Sequence, residues 1–210
     1  MKTRIALVSI SVWALACSEA ATPKDGGGGG PDSTVDGTTP QDSGPADTGI
    51  VVDASLCGHL VLDPKKSALV VNEMLAKGAE FVEIYNTGSN AIDLTGVSIS
   101  DTDSDGGCPK TSEAITLPNG TSIGGGSYIV VYTGQAEAGA CDASGCYNAT
   151  YKISNGSGET IFVLSPSGDI TTSGTYPPNA ATAGKSWSRL PNGTGDFANG
   201  TPSPGAANMP

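Results

Sequence analysis

The chain has 210 residues and a formal net charge of −11, with ten Lys and Arg against 21 Asp and Glu and a single histidine. The cations are scattered, whereas nucleic-acid binders cluster them to neutralise phosphates, so DNA and RNA are not expected as ligands. The acidity suits solubility and repulsion from anionic surfaces.

In chain order, Met1-Lys2-Thr3-Arg4 places two cations ahead of an apolar run, Ile5 to Ala16, that stops at Cys17. A basic start followed by a run of this size has the pattern of a secretory signal peptide. It is too short to span a bilayer, which takes about 20 apolar residues. Trp13-Ala14-Leu15-Ala16-Cys17 resembles the lipobox of bacterial lipoproteins, with Ala14 where that motif usually has leucine. The resemblance implies residues 1–17 as a leader and Cys17 as an acylated mature N-terminus anchored in the membrane. Each buried methylene would contribute about 0.8 kcal/mol, and more than one acyl chain makes such an anchor stable. Ser18 follows where aspartate often marks inner-membrane retention, so the expected address is the outer membrane of a Gram-negative bacterium.

Residues 18–56 read as a disordered tether. Gly26 to Gly30 is unbroken glycine, and the stretch to Asp53 mixes Pro, Gly, Ser, Thr and Asp. Such composition cannot bury enough apolar surface to offset the entropy of ordering. A flexible chain of this length spans about 30–35 Å on root-mean-square average.

From Cys57 onward the chain reads as one folded domain, 57–210, with its core at about 68–208. Ala68–Met74, Glu80–Asn86, Ser127–Thr133 and Thr160–Leu164 are short runs rich in β-branched and aromatic residues. Asn119-Gly120, Asn155-Gly156, Asn192-Gly193 and Asn199-Gly200 supply turn signals between and after them. No apolar 3.6-residue repeat is long enough for a helix, so the expected fold is an all-β antiparallel sandwich. Cys57, Cys108, Cys141 and Cys146 are an even set, which in an exported chain suggests disulfides. Three pairings are open. The short Asp-Ala-Ser-Gly segment between Cys141 and Cys146 favours a local bridge, leaving Cys57 with Cys108. Loop entropy assigns these about 2 and about 4 kcal/mol. Zinc fits poorly, because there is no C-x-x-C pair and His59 has only one cysteine near it in sequence.

Several pieces together resemble the lamin tail domain family. They are Val71-Asn72-Glu73, Glu80 to Asn86, Ile92-Asp93-Leu94-Thr95-Gly96-Val97, Leu117 to Thr121, Gly184-Lys185-Ser186-Trp187-Ser188-Arg189, and Thr201-Pro202-Ser203-Pro204-Gly205 with Asn208. Their order and spacing carry the likeness over about residues 68–208. It implies an immunoglobulin-like β-sandwich of a kind found in bacteria as exported modules, sometimes fused to hydrolases. Val82, Ile84, Leu94, Val97, Ile99, Ile129, Val131, Ile161 and Val163 are then inward-facing. Phe81 and Tyr85 fall on the opposite side of their strand and are expected to be covered by a loop.

Three patterns bear on chemistry. Gly120-Thr121-Ser122-Ile123-Gly124 spells the G-x-S-x-G of a nucleophile elbow, but more glycines and a strand follow where a helix is required, so it reads as a turn. Asp101-Thr102-Asp103-Ser104-Asp105-Gly106 alternates carboxylates before a glycine like the start of a calcium loop. Asp101, Asp103 and Asp105 are therefore the candidate calcium ligands, although position twelve is Ser112 instead of a glutamate. Glu73, Glu80 and Glu83 could be imagined as paired catalytic acids, but strand alternation is expected to leave them on a solvent face. The sequons at Asn119, Asn148, Asn155, Asn192 and Asn199 are expected to be turns. The expected function is a membrane-tethered, non-catalytic binding or structural module whose partner is a protein or glycan of the cell envelope. The alternatives are an accessory or remnant of a secreted hydrolase and a calcium-dependent adhesion module.

Overall fold

Val82 and Ile84 point into one core together with Leu94, Val97, Ile99, Ile129, Val131, Ile161 and Val163, as their alternation requires. The computed structural model describes residues 54–62, 67–104 and 107–210. The leader, Cys17 and the tether as far as residue 53 lie outside the described residues. Among the described residues there are fifteen strands and no helix.

Seven strands form one sheet. In spatial order they are β10 (Gly139–Ala140), β11 (Cys146–Asn148), β9 (Tyr128–Tyr132), β4 (Phe81–Asn86), β3 (Leu69–Leu75), β14 (Ser186–Leu190) and β15 (Asp196–Gly200). Six form the other: β1 (Ala54–Leu56), β2 (His59–Val61), β13 (Ile170–Tyr176), β12 (Glu159–Leu164), β6 (Ser98–Ser100) and β7 (Ile115–Thr116). A small ribbon pairs β5 (Ile92–Asp93) with β8 (Ser122–Ile123). The two large sheets share the apolar core, which makes the fold a β-sandwich. It is not purely antiparallel: β11 runs parallel to β9, and β2 parallel to β13.

Three features depart from the sequence reading. β1 occupies the last three residues assigned to the tether, and its hairpin with β2 joins the six-stranded sheet beside β13. Leu56 and Val61 of that hairpin pack on Phe162, Leu164 and Ile170, a small cluster on the outer side of the sheet. Next, β13 shows no apolar alternation, because its inward positions are Thr172, Gly174 and Tyr176. Gly174 is there for space. A Cβ on it would lie 2.7 Å from Val71 Cγ1 on the facing sheet. Gly174→Val is accordingly expected to cost about 1–3 kcal/mol by overpacking, read as a lower urea midpoint at unchanged m-value. A wild-type midpoint would mean the sheets can separate freely here. Last, Asn199-Gly200 is not a turn but the end of β15.

Candidate functional site

The four cysteines pair as expected, Cys57 with Cys108 and Cys141 with Cys146. The first bridge ties the turn between β1 and β2 to the loop after β6; the second closes the turn leading into β11. The acidic loop after β6 carries the candidate calcium ligands Asp101 and Asp103 within the described residues. Asp101 is only 6% exposed, and its Oδ1 is buried with no hydrogen-bond partner. Burial, with the charge of Glu159 nearby, pushes its carboxyl up to about 6. Asp103 accepts a hydrogen bond from the Cys108 amide at 3.1 Å. Asp105 lies outside the described residues, and among the described ones no three His, Cys, Asp or Glu side chains gather closely enough to hold a metal. A cavity of about 550 Å³ opens beside Asp101 and Asp103, walled by Glu159, Thr175, Pro177 and Pro178 among others.

The glutamates require a correction. Glu73 and Glu83 are not on a solvent face: both are fully buried. They stand directly opposite one another in the β3–β4 register, within a row that runs across the outer face of the seven-stranded sheet through Ser188, Glu73, Glu83 and Val130. Alternation puts Glu83 on the side away from Val82 and Ile84, whereas Glu73 reaches that side because the register shifts between Val71 and Glu73, which leaves Val71 and Met74 both in the core. What covers that side is the segment 201–210, which turns back over the sheet after β15. Glu73 accepts from the hydroxyls of Ser186 (2.5 Å), Ser188 (3.2 Å) and Ser203 (3.1 Å) and from the Ser203 amide (3.2 Å). Glu83 accepts from Asn72 Nδ2 at 2.8 Å and from the Gly205 amide at 2.7 Å. Burial pushes the Glu83 carboxyl up to about 7; the bonds from Asn72 and Gly205 oppose that rise, and Glu73 adds to it.

Three asparagines complete the network. Asn72 Oδ1 accepts from the Gly193 amide, and its Nδ2 also reaches Asn192 Oδ1. Asn192 holds the Tyr128 hydroxyl and accepts the Asn208 amide. Asn208 Nδ2 donates to the carbonyls of Asn72 and Arg189, each at 3.0 Å. Gly193 has φ +72°, and a Cβ on it would meet the Tyr85 ring at 2.6 Å. The Asn192-Gly193 turn can close over β4 only because that side chain is absent. Beside it Tyr85 stacks on Tyr128, with ring centroids 4.7 Å apart. Phe81 is buried as expected, packed with Leu75, Val130 and Tyr132, while Tyr85 is half-buried.

The other sequence candidates disperse. His59, on β2, is 2.6 Å from the Gly168 carbonyl, whereas Ser122 is on the β5–β8 ribbon. Glu80 is half-buried and accepts from Thr133 Oγ1 and the Ile153 amide. Among the sequons, Asn119, Asn155 and Asn192 are in turns, but Asn148 and Asn199 are strand residues.

Sequence reasoning found neither the burial of the glutamates nor the roles of the serines and asparagines that hold them. A signal was present nonetheless. Val71-Asn72-Glu73, Ser186 to Arg189, and Thr201 to Gly205 with Asn208 are far apart in the chain, and the structure brings all three into this one network. A model of the lamin tail domain matches residues 63–178. No curated protein matches the chain. The match spans more than half the sequence and coincides with a β-sandwich of the immunoglobulin-like kind that the family has, so this chain belongs to the lamin tail domain family.

Proposed function

We propose that the chain is a non-catalytic binding or structural module, tethered through Cys17 to the outer membrane and displayed at the cell envelope, where it contacts a protein or glycan. The observation that carries this reading is the pairing of Cys57 with Cys108 and of Cys141 with Cys146, since such bridges persist in oxidising compartments. Downstream of a leader that ends at Cys17, they fit an exported chain. The candidate catalytic groups support the non-enzymatic half. Glu73 and Glu83 spend their oxygens on Ser186, Ser203, Asn72 and Gly205, beneath a covering segment. The serine and histidine that a nucleophile elbow would unite are on different sheets.

Metabolic labelling with a radioactive fatty acid in a Gram-negative host tests the tether. The wild-type chain is expected to take up label and sediment with outer membranes. Cys17→Ser is expected to lose both properties while the domain keeps its disulfides. An unlabelled wild-type chain in the soluble periplasmic fraction would overturn the anchor.

A further inference from the structure

Two opposed carboxyl groups in a buried cross-strand pair are destabilising when both are charged. Glu73 and Glu83 are such a pair, and the only ion pair among the described residues, Lys110 with Glu113, is not part of their network. Their cover is unusual. Residues 201–210 contain no ionisable side chain. Beyond Thr201, which forms an isolated bridge with Met209, the segment belongs to neither sheet. It is held to the sheet through Ser203 on Glu73, Gly205 on Glu83, and Asn208 on the carbonyls of Asn72 and Arg189. The carboxyl pair is therefore both what the segment hides and much of what it grips.

We propose that residues 201–210 are a proton-locked strap, which closes over the Glu73–Glu83 pair with uptake of one proton from water and lifts from the sheet as that proton is lost. Among the described residues no cation forms an ion pair with either carboxyl. The residue facing Glu83 from β3 is Glu73 and from β9 is the apolar Val130; the titratable group of β9 on the same face is Tyr128, whose hydroxyl is engaged by Asn192. On β14, Arg189 donates to the carbonyls of Val71 and Gly195 and lies over Phe197, and the charge that acts on it is Asp196. Tyr85, also on β4, stacks on Tyr128.

The direction follows from linkage. With the strap closed, burial beside Glu73 holds the Glu83 carboxyl at about 7 against the opposing bond from Gly205, above its ordinary 4.5; the part of that rise that the cover supplies favours closure at acid pH and is lost as pH rises through 7. The strap loosens as pH rises towards 7 and changes little above that. Within this window the opening constant rises by up to about tenfold per pH unit. Pro204 and Gly205 form one wall of a groove of about 400 Å³ whose other walls include Tyr128, Val130 and Tyr132. Lifting the strap would open that wall and present an aromatic surface. This mechanism does not depend on the membrane anchor.

Hydrogen exchange of the Ser203, Gly205 and Asn208 amides in the intact chain, corrected for intrinsic rates and followed by NMR from pH 4 to 8, tests the proposal. Their protection relative to β4 and β9 amides is expected to fall at least tenfold between pH 5 and 7.5 and to level above that. In Glu83→Gln it is expected to stay flat. Since that variant faces two donors with one amide oxygen and could misfold, the wild-type Glu83 side-chain carboxyl shift provides a second readout. It should titrate near neutral pH, with the strap amide shifts sharing its midpoint. Strap protection that parallels the core at every pH, a fall that persists in folded Glu83→Gln, or a Glu83 midpoint near 4.5 would each overturn the strap.

Discussion

Glu73→Leu is expected to destabilise the domain by about 3–5 kcal/mol, measured as the shift in urea midpoint at constant m-value. Leucine approximates the volume, so the loss comes from the donors. The hydroxyls of Ser186, Ser188 and Ser203 and the Ser203 amide all lose an acceptor in a site where Glu73 is fully buried. Each buried polar group left unpaired costs about 1–3 kcal/mol, with part recovered because Ser186 and Ser188 can still bond each other. Glu73→Gln keeps one acceptor oxygen and is expected to lose less. The ordering matters as much as the size. If the leucine variant matches or exceeds wild type, the network would contribute specificity of strap placement and no net stability, as happens when buried polar sets are replaced by well-packed apolar ones.

Removing the Cys57–Cys108 bridge by the double alanine substitution is expected to cost about 4 kcal/mol, because the bridge closes a loop with a sequence separation of 51. Removing Cys141–Cys146, with a separation of 5, should cost about 2 kcal/mol. The larger effect has a local component. The β1–β2 hairpin is joined to β13 by a single registered pair, Val61 with Ile170, and by the Leu62 amide on the Ile170 carbonyl. Without the bridge the hairpin should fray first, uncovering Phe162 and Leu164, and its amides should exchange before those of β12. A loss under about 1 kcal/mol would show that the packing of Leu56 and Val61 anchors the hairpin without the bridge.

How far the structure could be read from the residues depended on whether the controlling contact was local. Val82 and Ile84, Ile129 and Val131, and Ile161 and Val163 announced themselves by alternation, since adjacent side chains on a strand must face opposite ways. The local disulfide was legible because only five positions separate Cys141 and Cys146, and with four cysteines the other bridge followed. The family resemblance was legible as a set of ordered fragments. Strand β13 was not, because its inward positions hold Thr172 and Gly174, the glycine required by the closeness of Val71 on another sheet.

The same distinction governs the candidate site. Alternation established that Glu83 lies on the face opposite Val82 and Ile84, and that much belongs to the sequence alone; Glu73 joins it there only because the strand register shifts between Val71 and Glu73, leaving Val71 and Met74 both in the core. Whether that face meets water is a separate matter, decided by what returns to cover it. Here the cover comes from Ser203, Gly205 and Asn208, more than a hundred residues away along the chain, and from Ser186 and Ser188 on a neighbouring strand. Only the tertiary structure could turn two strand glutamates into a buried pair, because desolvation is a property of all the atoms around a group and not of the segment that carries it.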